Sequence, residues 1–278
     1  SETLPAEPHL YRNPRLSTDG KRLALNIGPG PGDNDAWIYD FDRDALTRLT
    51  FDKGTYRPIW TPDGKRLVYS NTIGGHEGLA WKAADGSADP RMILPQSGIY
   101  TSPPDDWVPG RNELVFSRLG GKGGSDVLSI VPGEAEPKAV LDGPSAEGGA
   151  SFAPDGKWMA YCSDESGRHE VYVRAYPGPG GKWQISTNGG RGPCWSRDGR
   201  EIFYTLGRRM MAVPVATDPS FAPGQPRQLF EFPFERFVGL DRDYDVAPDG
   251  RRFIFVRKLR HDARQLDLIF GFSAGGSR

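Results

Sequence analysis

The chain has 278 residues, 37% of them apolar, with Gly 36 and Pro 25, a profile that suits many short strands joined by tight turns. Lys+Arg 35 against Asp+Glu 36 leave a formal net charge of -1, which excludes a global field able to gather nucleic acid or anionic membrane. No run approaches the ~20 apolar residues a membrane-spanning helix needs, and two cysteines are too few for a disulfide framework or an all-cysteine zinc site.

The N-terminus carries neither the basic nor the apolar region of a signal peptide. Because it starts at Ser1 and not at Met, it reads as a processed or excised piece from which a signal or anchor could have been removed. From there one phrase recurs: Ser17-Thr-Asp-Gly-Lys-Arg-Leu-Ala-Leu25, then Thr61 to Tyr69, Ala153 to Tyr161, Ser196 to Tyr204 and Ala247 to Phe255. Trp107 to Phe116 is a sixth copy that keeps the glycine and the apolar ending but has lost the Asp-Gly pair, which puts regular geometry there in doubt. The turn glycines Gly20, Gly64, Gly110, Gly156, Gly199 and Gly250 lie 44, 46, 46, 43 and 51 residues apart, the length of a propeller blade. Asp and Gly tolerate the positive φ of a tight hairpin, so each copy marks the turn from a first strand to a second.

Third strands follow by period-two alternation, as at Ala36–Asp40, Gly78–Lys82, Asp126–Ile130, Glu170–Arg174, Arg209–Val213 and Gln265–Phe270. Fourth strands follow through the fifth repeat, ending near Arg227–Phe230, and the sixth repeat runs out of chain. The expected fold is therefore an all-β, six-bladed β-propeller forming one domain over residues 1–278, with four antiparallel strands per blade. Its blades fall near 9–51, 52–95, 96–142, 143–187, 188–231 and 232–272. A closed ring leaves no free edge, so the N-terminal strand 2–5 is expected to complete blade six.

The phrase Trp/Phe-Ser/Thr-Pro-Asp-Gly-Lys followed by an apolar strand resembles the WD-like PD repeat of TolB-type propellers. More narrowly, Asn13–Ser17, Ser163–Arg168, Gly181–Ser186 and Tyr244–Gly250 resemble the C-terminal propellers of bacterial membrane-anchored serine/threonine kinases. No kinase signature occurs in this sequence, so the resemblance implies the sensor-like or scaffold part alone. It also implies an extracytoplasmic bacterial location and a binding role.

Catalytic motifs fail on inspection. Gly120-Gly-Lys-Gly-Gly-Ser125 lacks the Lys-Ser/Thr pair of a phosphate loop, and the prolines of Gly28–Gly32 remove donors a phosphate cradle needs. His76-Glu77 and His169-Glu170 lack the second histidine of a zincin, where Ala80 and Val173 stand. Gly143-Pro-Ser145-Ala-Glu147 falls one glycine short of a nucleophile elbow. His76, His169 and His261 occupy alternate blades and could in principle serve a metal, but read more simply as solvated loop residues, and Asp33-Asn34-Asp35 reads as a polar turn. Cys162 and Cys194 read as two core thiols in preference to a disulfide, and Trp60, Trp195 and Phe152 as blade-to-blade core.

Residues leading into the innermost strands rim one mouth of a propeller channel. They include Tyr11, Arg12 and Asn13, Tyr56 and Arg57, Tyr100 and Thr101, Glu147, Arg191, and Asp241, Arg242, Asp243 and Tyr244. The candidate ligand-binding set is Arg12, Tyr56, Arg57, Tyr100, Glu147, Arg191, Arg242 and Tyr244, with no catalytic residue, metal or cofactor. Arginine forks suit carboxylate or phosphate, and tyrosines add flat contact area. The expected partner is a protein, a peptide or a small anionic ligand, with no nucleic acid and no membrane insertion. Equally open is a rim whose arginines merely pair with Glu147, Asp241 and Asp243. Alternative functions are a lyase or lactonase-like hydrolase at the channel mouth and a gating propeller of a peptidase.

Overall fold

The computed structural model describes residues 2–3, 10–28, 33–73, 76–96, 103–231, 239–240, 242–258 and 264–269. Every described element is a strand, and the chain forms two compact units, one of residues 1–97 with 243–278, the other of residues 98–242.

In the first unit, β1 (Glu2–Thr3) is followed by the meander β2 (Tyr11–Leu16), β3 (Arg22–Ile27), β4 (Asp35–Asp40) and β5 (Ala45–Arg48), then by β6 (Thr55–Trp60), β7 (Arg66–Ile73), β8 (His76–Ala83) and β9 (Arg91–Gln96). The second unit holds β10 (Pro104–Trp107), β11 (Leu114–Leu119), β12 (Ser125–Ile130) and β13 (Lys138–Leu141) in one sheet, and β14 (Glu147–Phe152), β15 (Trp158–Ser163), β16 (Glu170–Ala175) and β17 (Lys182–Gln184) in the next. Its last sheet comprises β18 (Arg191–Trp195), β19 (Glu201–Leu206), β20 (Arg209–Ala216), β21 (Ala222–Pro223) and β22 (Arg227–Glu231). The chain then returns to the first unit with β23 (Tyr244–Val246), β24 (Phe253–Lys258) and β25 (Arg264–Ile269).

This order corrects the expected ring of six equal four-stranded blades. Meanders of consecutive strands make a five-bladed arrangement, β2–β5, β6–β9, β10–β13, β14–β17 and β18–β22. The fifth of these is five-stranded, because the eight-residue β20 pairs with β22 along Arg209–Ala212 and with β21 at Val215–Ala216. The remaining sheet is composite: β23, β24 and β25 are joined by β1 from the opposite end of the chain, with Glu2 opposite Leu268 and Thr3 opposite Asp267. That pairing agrees with the N-terminal strand addition expected from the sequence. Counting Asp-Gly turns counts first hairpins, and a hairpin does not report how many strands finish its sheet.

The recurring turn is held by its own side chains. Ser17, Thr61 and Ser196 donate their hydroxyls to Asp19, Asp63 and Asp198 at 2.6, 2.6 and 2.7 Å, and each aspartate also accepts the amide two residues on. These bonds hold all three carboxyls below the usual carboxylate range, the hydroxyl being the largest cause.

Core residues lie between neighbouring sheets of a unit. Trp60 packs with Ala24, Ile38 and Tyr69, donates its indole N–H to the Arg15 carbonyl at 3.0 Å, and lies under the Arg22 guanidinium at 4.5 Å. Trp195 packs with Ala153, Val171 and Phe221 in the second unit. Truncating either indole to alanine removes burial worth about 3–5 kcal/mol. Cys162 and Cys194 are both buried and are not joined by a disulfide, in keeping with core thiols.

Candidate functional site

The first strand of each consecutive meander is bulged. Its register slips between Arg12 and Arg15, Tyr56 and Ile59, Pro104 and Asp106, Gly148 and Ser151, and Arg191 and Cys194. Four bulge residues have positive φ: Asn13 at 50°, Arg57 at 53°, Gly149 at 66° and Gly192 at 57°. A bulge re-aims side chains and interrupts pairing, a device common beside binding sites.

The bulges are fixed by a polar residue in an otherwise apolar second strand. In the first unit, Asn26 Oδ1 accepts the Arg57 amide at 2.8 Å while its Nδ2 donates to the Thr55 carbonyl at 3.1 Å. A left-handed arginine costs about 1 kcal/mol, which the asparagine bond offsets. In the second unit, Ser117 Oγ accepts the Gly149 amide at 3.2 Å and donates to Asp105 at 2.7 Å. Asp106 is half-buried and accepts the Phe152 amide at 3.1 Å. Burial raises its pKa, against the opposing pull of Arg242.

Each unit holds part of the expected binding set. In the first, Arg12 is half-buried at its bulge, and half-buried Arg57 stacks its guanidinium over Tyr56 at 5.1 Å. Tyr244 is buried, its ring 6.3 Å from Phe253, so it packs in the core. In the second, Glu147 opens β14, Arg191 opens β18, and Arg242 donates Nη1 to Cys194 Sγ at 3.0 Å. Tyr100 and Asp241 lie outside the described residues.

Glu147 and Arg191 define the candidate site. Glu147 is 7% exposed, and its Oε2 has no hydrogen-bond partner. Burial raises its pKa to about 7; the charges of Glu165 and Asp126 push the same way, while the Gly143 amide and Arg174 oppose. Arg191 donates Nη1 to the Gly239 carbonyl at 3.0 Å and makes no ion pair among the described residues. Its charge, after burial, helps hold His169 below the ordinary histidine range, and the His169 Nδ1 is likewise without a partner. Among the described residues, Glu147 and Arg191 make no ion pair with each other.

Sequence reasoning missed Asp106, Asp126, His169 as a neighbour of Arg191, and the bulge-fixing residues. The available signal was the polar residue in each second strand: Asn26, Ser70, Ser117, Cys162 and Thr205. No group of three His, Cys, Asp or Glu side chains among the described residues is placed to hold a metal.

The strands and their order define an all-β propeller, and solved structures agree. A TolB-type protein from Agrobacterium tumefaciens superposes with a TM-score of 0.70 at 16% identity, over 94% of this chain and 91% of that one. An oligogalacturonate lyase in complex with manganese gives a TM-score of 0.64 at 13% identity, covering 95% and 90% of the two chains. A gluconolactonase from Xanthomonas campestris gives 0.62 at 14%, covering 96% and 88%. Such identities show a shared fold and no more. Among curated relatives, a TolB homolog from Chlorobium luteolum is 30% identical over 161 residues, 57% of this chain and 35% of that protein. The peptidase YuxL from Bacillus subtilis is 25% identical over 174 residues, 58% of this chain and 24% of that protein. The chain thus spans about a third of the length of the first of these relatives and about a quarter of the second. No protein-family profile matches it.

Proposed function

We propose that this TolB-like propeller is a recognition module that binds a protein, peptide or small anionic ligand at the bulged inner strands, in an extracytoplasmic compartment. The observation that carries the reading is Arg191. It is a half-buried guanidinium beside a bulge, held by one backbone carbonyl and by no carboxylate among the described residues, near a histidine whose pKa burial and the Arg191 charge lower. A guanidinium so placed presents a planar fork to a carboxylate or phosphate. The left-handed, asparagine-held Arg57 of the first unit supports the same reading, since strain of this kind gathers at binding positions. No described helix is long and apolar enough to cross a membrane.

Calorimetric titration with tri-glutamate and with inorganic phosphate tests this. Saturable binding of at least one, weakened tenfold or more by Arg191→Gln and less by Arg191→Lys, is the expected result. Binding of neither anion, or equal affinity in Arg191→Gln, overturns it.

One observation favours a second reading. Glu147, with its pKa near 7, has the proton affinity of a general acid or base, as a lyase or lactonase would need. Catalysis requires further groups converging on one reacting atom. Turnover of oligogalacturonate or gluconolactone that disappears in Glu147→Gln would establish this reading in place of recognition.

A further inference from the structure

Two glycine segments that match no catalytic motif come together in the second unit. A Cβ on Gly121 would collide with the Asp126 carboxylate, and one on Gly123 with the Ser145 carbonyl. One on Gly143 would lie 3.7 Å from Glu147 Oε1. Only glycine lets the backbone approach Asp126 this closely, whereas at Gly143 a side chain would make an ordinary contact with Glu147. Ser125, the neighbour of Asp126, donates its hydroxyl to the Glu147 carbonyl at 2.8 Å, tying β12 to β14 where the acids stand.

Both carboxylates are incomplete. Asp126 is 3% exposed; its Oδ2 accepts from Arg118 at 2.9 Å, and its Oδ1 has no partner. Glu147 is 7% exposed, and its Oε2 has none. The two acids feel each other, since the Asp126 charge helps raise the Glu147 pKa. Buried carboxylate oxygens are normally paired, and these two, on neighbouring strands β12 and β14 and without a partner among the described residues, call for a further donor.

The donor set distinguishes between cations. A calcium ion takes six to eight oxygens, and among the described residues no three acidic or histidine side chains converge. An ammonium is a compact charge with three N–H donors and is satisfied by two or three acceptors. Lys122, in the same glycine segment, is exposed and reaches neither open oxygen.

We propose that Asp126 and Glu147 form an acceptor site for a primary ammonium group, carried by a lysine side chain or a free peptide N-terminus. The inference rests on the recognition reading and names a second charged group on the same ligand. Capture of a terminal amine is an established mode of peptide recognition.

The test uses the whole chain and small probes without a carboxylate: methylammonium, triglycine amide with a free N-terminus, and Nα-acetyl-lysine amide with only its side-chain ammonium. Tetramethylammonium, which has no N–H, and acetyl-triglycine amide are controls, and calcium chloride is the metal arm. Saturable binding of methylammonium and of at least one ammonium source, absent for both controls, is expected. Binding should fall tenfold or more in both Glu147→Gln and Asp126→Asn, with melting curves checking that each variant is folded. Preference between triglycine amide and acetyl-lysine amide identifies the source. No amine binding, equal amine affinity in the two carboxamide variants, or calcium binding that these variants abolish overturns the proposal. If the anions still bind through Arg191 in that case, the recognition reading stands without this site.

Discussion

Glu147 and Glu170 stand in one sheet and one register row, Glu147 opposite Ser163 and Ser163 opposite Glu170, yet the chain treats them differently. Glu170 is fully buried and fully served. Its Oε1 accepts from Arg168 and from the Gly189 amide, both at 2.8 Å, and its Oε2 accepts the Ser186 hydroxyl, which itself accepts the Val171 amide at 2.8 Å. Glu147, on the first strand of the sheet, keeps an open oxygen and an elevated pKa. A carboxylate with a complete set of donors ties loops together. One left incomplete at the same depth is a structural liability unless something else completes it. The contrast separates a carboxylate that holds the blade from one with an open acceptor.

The largest effect that would break the comparison is at the satisfied acid. Glu170→Ala leaves Ser186 Oγ, the Gly189 amide and Arg168 without their acceptor and opens a cavity, so urea unfolding should show a loss of about 3 kcal/mol. A loss below about 1 kcal/mol would mean Glu170 is no more structural than its counterpart. Glu147→Gln sharpens the contrast through pH. The folded-state pKa of Glu147 lies near 7, above the ordinary 4.5, so between these values the native protein keeps a proton that the unfolded chain gives up. Its contribution is therefore fully present below pH ~4.5 and lost as pH rises through ~7. With screening by solvent allowed for, wild type should lose about 1–2 kcal/mol across that window relative to the glutamine variant. Identical pH profiles for the two proteins would refute it. The smallest effect is at the other end of the first hairpins. Thr61→Ala removes the hydroxyl that most lowers the Asp63 pKa, and should cost about 1 kcal/mol near neutral pH. Asp63 contributes stability above the ordinary carboxylate range and loses it as pH falls through its depressed value, so the difference should shrink in acid.

Strands and first turns were legible because Asp-Gly, a polar start and an apolar run repeat in phase. What repetition does not carry was not. The five-stranded sheet was hidden because β21 is only Ala222–Pro223, and a proline there reads as loop, although an edge position tolerates it. The bulges were hidden because the residues that fix them, Asn26 and Ser117, sit in the second strand of the preceding sheet. Glu147, Arg191 and Arg242 were named from their position ahead of the turns. Tyr244 was named by the same rule, yet it turns into the core. Asp126 looked like an ordinary third-strand residue because only the fold brings it beside the segment around Glu147.

The most direct test of the difference between the two acids is a carbon-13 NMR titration of the Glu147 carboxyl in the intact chain. A midpoint near 7 is the predicted result, marking a desolvated acid with an open oxygen. A midpoint near the ordinary 4.5 would show that Glu147 is already satisfied, and the distinction between binding and supporting carboxylates would fail.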